Sequence, residues 1–480
     1  MPAALFSAAR GPRLGFVAFF VFRFPSRAMN PAAALTPPST GTRRHFLRQA
    51  SAATAVAAAG AILKAPVYGQ NQAPSAGRVL GANDRLVVAV VGLKRGEAHI
   101  SGHLGVKNVE ISHVCDVDSE RVASGQKLVS ARAAGRAAAG ERDFRRLLEN
   151  KDIDVISIAT PNYWHAIMSI LACEAGKHVY VEKPGSHNAH EAETMVAAAA
   201  KHRRVAQMGN QMRSYPYFRE AIQRLHEGVI GRVTFARCWY KADRGTIGTG
   251  KPVPVPAKLD WTLWQGPCPE RPYVDNLVHY NWHWFWHYGG GEMANNAIHT
   301  LDLARWGLRG EYPHKVSYLG GRYHFRDDQE TPDTGVAAFD FGTGGVTWDQ
   351  SSCDPRKGEA NPTVAFYGDK GSLTFPGGNA YVIYDPAGKE LFRTARAATS
   401  HIPHFQNFAD AIREGKPLHS PISEGQKSTM LCHLGNIAYR SGSVLEVDSR
   451  TGRIRNNAAA ARLWKREYRA GWEPKAYLAG

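Results

Sequence analysis

A chain of 480 residues is too long for one ordinary hydrophobic core and predicts two domains of common size. Hydrophobic residues at 44% and charged residues at 21%, with 11 Trp, exclude a disordered or fibrous protein. The formal charge of +17 does not point to nucleic acid: residues 1–69 hold eight Lys or Arg and no acid, which leaves a moderate +9 elsewhere without a basic repeat.

Residues 42–48 carry Arg43, Arg44 and Arg48. They precede an uncharged, Ala-rich run to Leu63 and a small-residue exit at 65–69. That order is the order of a signal peptide, and Arg43-Arg44 followed by Phe46 and Leu47 resembles the twin-arginine class. Residues 1–69 are therefore expected to be a processed signal region, with Met29 as a more usual start. The protein is expected to be periplasmic or otherwise exported. The apolar run is too short for a stable membrane anchor.

The first fold element is a buried strand at 85–91, followed by the turn Gly92-Leu93-Lys94-Arg95-Gly96 and a helix from Glu97. A glycine turn between strand and helix lets a pyrophosphate approach the helix N-terminus. The turn is one residue shorter than GxGxxG and lacks the middle glycine, so alone it is a weak signal. A second strand at 109–114 leads to Cys115-Asp116, and Asp116 stands where an acid bonds the adenosine ribose; its carboxylate would repel a 2′-phosphate and favours NAD over NADP. Strands at 154–159 and 178–181 end in Thr160-Pro161-Asn162 and Glu182-Lys183-Pro184. Between them a helix over 163–175 stops at Gly176. Alternating strands and helices predict a doubly wound α/β Rossmann domain over residues 83–207, with both tripeptides facing one crevice.

Ala159-Thr160-Pro161-Asn162 with His165, then Glu182-Lys183-Pro184 after a strand, resembles the signature of the Gfo/Idh/MocA oxidoreductases. The resemblance covers nearly all of the chain after about residue 83. It implies a nicotinamide nucleotide held by Gly92, Leu93, Arg95, Gly96, Asp116, Thr160, Pro161, Asn162, His165, Glu182, Lys183, Pro184 and Gln211. It also implies a second domain that binds a sugar or polyol and pairs with another copy through an open sheet face.

Residues 208–480 fit that second domain. Strands at 233–240, 336–341, 363–367 and 372–375 have few helices between them, which predicts a mostly antiparallel α+β fold. The aromatic run 281–288 includes Trp284, whose ring could stack on a pyranose or simply fill a core. A helix is expected over 292–306, with Asn295 and His299 four residues apart on one face. The family resemblance implies Asp and His at this spacing around the reacting carbinol, together with the lysine of Glu182-Lys183-Pro184; here the first is Asn. His299 is expected as general base with a pKa near working pH, Lys183 as donor to the carbinol oxygen, and Asn295 as an orienting group. Arg213 and Trp284 complete the expected substrate contacts with Lys183, Asn295 and His299. The stretch from His401 to Asn436 reads as two helices returning to the domain junction, with no chemistry assigned.

Cys115, Cys173, Cys238, Cys268, Cys353 and Cys432 show neither a CxxC pair nor metal-ligand spacing, so buried free thiols and no metal centre are expected. The expected activity is NAD(P)-dependent oxidation and reduction of a secondary hydroxyl of a small-molecule carbohydrate with a tightly held cofactor. Two alternatives are an NAD-dependent glycosidase working by transient C3 oxidation and elimination, and a non-catalytic sugar-binding protein.

Overall fold

The computed structural model describes residues 84–475 and 477. The expected signal region lies outside the described residues. Six strands form the first sheet: β1 (Leu86–Val91), β2 (Val109–Cys115), β3 (Ala139–Glu141), β4 (Val155–Ile158), β5 (His178–Val181) and β6 (Ala206–Met208). Their order is β3-β2-β1-β4-β5-β6 and every pairing is parallel. The chain runs outward from β1 through β2 to β3, then returns to β4 on the other side. The two halves therefore diverge between β1 and β4, and a crevice opens beyond their carboxyl ends. The crossovers are made by α1 (Gly96–Leu104), α2 (Ser119–Arg132), α3 (Phe144–Glu149), α4 (Asn162–Glu174) and α5 (Ala189–Lys201). Runs such as Val155–Ile158, three apolar residues and Ser157 buried at all four positions, are what a sheet covered on both faces requires.

After α6 (Pro216–His226) the chain builds a ten-stranded sheet from β7 (Val233–Lys241), β8 (Lys315–Gly321), β9 (Thr334–Asp340), β10 (Gly345–Ser351), β11 (Val364–Gly368), β12 (Gly371–Gly377), β13 (Ala380–Tyr384), β14 (Glu390–Arg393), β15 (Leu445–Val447) and β16 (Ile454–Arg455). The order is β14-β13-β12-β11-β7-β10-β9-β8-β15-β16, and only β7 with β10 is parallel. The mostly antiparallel second domain expected from the sequence is thus present. One face packs under α6, α8 (Ile298–Leu308) and α10 (Ile422–Ser441). The other is open, leaving Leu319 and Tyr367 exposed. Between β7 and α8 lies a long connection containing only the short α7 (Trp261–Gln265) and two irregular turns.

The helix expected over 292–306 is present, starting at residue 291, with a π-helical turn at Met293–Ala297 inserted before the regular stretch Ile298–Leu308. The two C-terminal helices, α9 (Ile402–Glu414) and α10, do return to the junction: α9 packs on α1 of the nucleotide domain, and α10 on α5 and α8. All six cysteines are free and buried.

Candidate active site

The crevice beyond β1 and β4 is a cavity of about 600 Å³. Its floor is the glycine turn. Gly92 has φ +86°, and a Cβ there would lie 2.6 Å from the Ala159 carbonyl group and 2.7 Å from the Thr160 nitrogen, so only glycine lets the turn close on β4. The Leu93 N–H donates to Asp116 Oδ2 at 2.7 Å and the Asp118 N–H to Oδ1 at 3.0 Å. Asp116 therefore braces the turn as well as lining the cavity, and each of its oxygens keeps a lone pair for a ribose hydroxyl. Burial raises its pKa while those two N–H groups oppose the rise.

His165 ties the two expected tripeptide segments together. Its Nδ1 lies 2.6 Å from the Pro184 carbonyl oxygen and its Nε2 2.7 Å from that of Thr160. Glu182 is buried; its Oε1 accepts from Arg95 Nε at 2.7 Å and lies 3.3 Å from His99 Nε2. Against burial, these two partners hold its carboxyl well below the usual range. A glycine turn that admits no Cβ, an acid at the end of β2 and backbone at the start of α1 and α4 fit a dinucleotide.

The roof over the adenosine end comes from the long connection after β7. Asp260 N–H donates to the Val117 carbonyl at 3.0 Å, Ser119 N–H donates to that of Lys258 at 3.0 Å, and His279 Nε2 lies 3.1 Å from Asp118. Leu263 and Trp264 then line the cavity opposite Phe144 and Trp164.

The other end of the cavity gathers Lys183, Asn295, His299 and His283. Lys183 Nζ donates to the Asn295 carbonyl at 2.6 Å and to its Oδ1 at 3.1 Å. Burial lowers the lysine pKa while Glu182 opposes the fall. The π-helical turn is what presents Asn295 this way, and such turns recur at functional sites. Its first flank is pinned from afar: Glu292 is buried, accepts from Arg244 Nε at 2.5 Å and also accepts from Asn296 Nδ2. His299 departs from the expected near-neutral titration. Burial, then Lys183, pushes its pKa down to about 3, so it is a neutral imidazole across the working range.

The cavity brings together most of the expected residues: Gly92, Leu93, Arg95, Asp116, Thr160, Pro161, Asn162, His165, Glu182, Lys183, Gln211, Asn295 and His299. Gly96, Pro184, Trp284 and Arg213 do not line it. Gly96 packs on Val90 at the start of α1, and Pro184 supplies the carbonyl facing His165. Trp284 is buried, with the Arg244 guanidinium 4.8 Å from its ring centroid. Arg213, expected at the substrate, is instead buried in a forked ion pair with Asp302, at 2.8 Å from Nε to Oδ2 and 2.8 Å from Nη2 to Oδ1. The 3₁₀ turn Gln211–Ser214 turns it toward α8 while Gln211 stays at the cavity.

His283 received no role from the sequence. Its Nδ1 lies 2.6 Å from the Tyr280 carbonyl oxygen, which can only accept, so Nδ1 carries the proton and Nε2 is a free acceptor. Burial sends its pKa to about 3. The dense run of aromatics around it was the only signal, and it does not distinguish a cavity wall from a core. Arg121, Arg142 and His401 also line the cavity; the sequence placed His401 at the domain junction without a role and gave no signal for the two arginines.

Residues 86–210 match the family model described as oxidoreductase family, NAD-binding Rossmann fold, and residues 262–374 match the C-terminal domain of the same group. Among curated relatives, a glycosyl hydrolase family 109 protein of Shewanella pealeana is 29% identical over 214 residues, covering 41% of this chain and 45% of that protein. A levoglucosan dehydrogenase of Pseudarthrobacter phenanthrenivorans is 34% identical over 170 residues, covering 35% and 36%. The chain thus spans less than half the length of these relatives. Among solved structures, the aldose-aldose oxidoreductase of Caulobacter crescentus complexed with glycerol has a TM-score of 0.59 at 19% identity, covering 76% of this chain and all of that one.

Proposed function

We propose that this chain, which carries both domains of the Gfo/Idh/MocA oxidoreductases, oxidises and re-reduces a secondary hydroxyl of a sugar or polyol with a tightly held NAD. One observation carries the reading: Lys183, Asn295 and His299 converge at one end of the cavity whose other end is the Gly92 turn and Asp116. When bound, NAD supplies the hydride acceptor and donor. The chain's own residues handle the proton and the orientation. Two of the three donors of the Lys183 ammonium go to Asn295, and the third is left for the carbinol oxygen. His299, neutral at working pH, takes the hydroxyl proton, and His283 Nε2 offers a second acceptor in the same cavity.

Retention of the nucleotide is supported by the roof of residues 258–264, whose backbone is bonded to the β2–α2 connection at two places. The reading includes export on the strength of residues 42–69, since a carried nucleotide meets the lack of any supply outside the cytoplasm. Asn295, where a carboxylate would be the usual partner for redox at a free polyol, favours a second reading: a glycosidase using transient oxidation at C3, elimination and return of the hydride. The resemblance to a glycosyl hydrolase family 109 protein supports it.

The experiment is acid extraction of nucleotide from protein purified without added NAD, followed by incubation with paired sugars and, separately, with aryl glycosides. Near-stoichiometric NAD with oxidised and reduced sugars formed in equal amounts is expected. Release of the aryl group without net oxidation moves the assignment to the glycosidase. An empty protein, or one that turns over neither class, overturns the proposal.

A further inference from the structure

A second cavity, of about 540 Å³, lies among residues 187–189, the turn around Trp286–Gly290, α10 and residues 463–467. It is separate in its lining from the first, yet its walls continue into the catalytic segments. Ser186, three residues after Lys183, has its Oγ 2.9 Å from His433 Nε2, and Asn436 Nδ2 donates to the Gly290 carbonyl at 2.9 Å.

The charge of this wall is unbalanced. Arg466 is matched by Glu191 at 2.9 Å. Arg440 is not matched: among the described residues no carboxylate comes within ion-pair distance of it and no acceptor within hydrogen-bond distance. Its guanidinium stands 5.1 Å from the centroid of the Trp286 ring. Burial lowers its pKa, with Glu330 the opposing charge. Glu330 itself accepts from the Trp286 N–H at 2.6 Å. Arg271 adds a further guanidinium to the lining. His187 also lines the cavity, and neither of its ring nitrogens has a partner. Its pKa is pushed well below the ordinary value, by burial first and then by Arg466 and other cations around it.

A guanidinium without an acceptor, at the edge of a cavity, keeps its donors available to an entering anion. A planar fork beside an aromatic face is suited to bidentate recognition of an oxyanion. A neutral imidazole has one donor and one acceptor, which matches a hydroxyl next to the anionic group. We infer that this second cavity is a binding site for a small hydroxylated organic anion, its carboxylate or phosphate monoester held by Arg440 with Arg271 and its hydroxyls facing His187. The inference does not depend on the reaction proposed for the first cavity.

Isothermal titration of the NAD-loaded full chain at low ionic strength tests it, with D-gluconate and D-glucose 6-phosphate as the two anionic probes and D-glucose as the neutral control. At least one anion is expected to bind, and the tighter of the two identifies the anionic group. Arg440→Met is expected to weaken that anion by about tenfold or more, the scale of a charge-assisted hydrogen bond, while leaving nucleotide content unchanged. Glu330→Gln, which removes the opposing charge, is expected to tighten it, and this arm stands if Arg440→Met fails to fold. Lys183→Met, in the first cavity, is expected to leave anion binding unaltered. No binding of either anion, equal binding in Arg440→Met, no tightening in Glu330→Gln, or loss of binding in Lys183→Met overturns the inference.

Discussion

The two ends of the main cavity are built by different means. At the nucleotide end, the floor is built from segments that leave the carboxyl ends of parallel strands, with backbone fixed by the sheet: Gly92 after β1, Asp116 after β2, Thr160 after β4, Glu182 after β5. At the substrate end only Lys183 follows a strand, β5. Asn295 and His299 hang from a π-helical turn and the first turn of α8, and His283 from a 3₁₀ turn; they are held by polar contacts between residues far apart in sequence. Glu292 and Arg244 are 48 residues apart, and Arg213 and Asp302 are 89 apart. The difference teaches where each function is vulnerable. Nucleotide binding rests on backbone that side-chain changes scarcely move, whereas the substrate end depends on buried ion pairs whose loss moves the groups they hold.

The sharpest break in that comparison comes from Arg213→Ala. The pair with Asp302 is buried on both sides, and Asp302 also accepts from Ser428 Oγ at 2.6 Å. Removing one partner of a buried pair costs about 3–5 kcal/mol because the remaining charge is stranded. Burial alone would raise the Asp302 pKa, but Arg213 holds it below the ordinary value. In wild type the pair's contribution is therefore present above the unfolded carboxyl pKa and is lost as pH falls toward the folded one. Denaturant unfolding at neutral pH should show the loss, and the acid-side dependence of stability should shrink in the variant. A variant of unchanged stability with a raised KM would return Arg213 to the substrate.

Lys183→Met separates the two ends directly. Turnover should fall by about 10² or more, the scale for a positioned proton-handling or electrostatic group. Nucleotide content should remain near that of wild type, because the lysine ammonium faces Asn295 and not the glycine turn. Acid extraction and steady-state rates on the same preparation measure both. Loss of nucleotide along with activity would mean that the ends are not independent.

The same contrast explains what could be read in the sequence. Val155–Ile158 and His178–Val181 are short strands with three apolar residues each, and the functional tripeptides follow within two residues, so a local pattern located both the strands and the residues at their ends. Asn295 and His299 were legible as a pair, but the local pattern there is simply helical. Nothing in it announces a π-helical turn, flanked by the Glu292–Arg244 pair and with Lys183 donating to the Asn295 carbonyl, partners 48 and 112 residues away. Arg213 was misplaced for the same reason: its proximity to Gln211 in sequence was visible, and the 3₁₀ turn that directs it toward Asp302 was not. The pKa of His299 was beyond reach because it is set by burial and by a lysine more than a hundred residues away.

The smallest expected effect is the most informative about the substrate end. Asn295→Asp would place a carboxylate where Oδ1 now accepts from Lys183 at 3.1 Å, on the same stretch as His299. An opposite charge favours the charged form of both neighbours, so the lysine and histidine pKa values should each rise. His299 starts from about 3, where burial and Lys183 keep it neutral. A base that must be neutral is lost below its pKa, so the acidic limb of the rate profile should move upward from a low starting point. The rate at neutral pH should change only severalfold. Rates against pH for wild type and Asn295→Asp on one substrate, with His299→Ala to identify the limb, make the measurement. An acidic limb that stays in place would show that position 295 does not communicate with the base, and a wild-type limb near pH 6.5 that disappears in His299→Ala would show that the histidine is far less buried in the working enzyme than its surroundings here require.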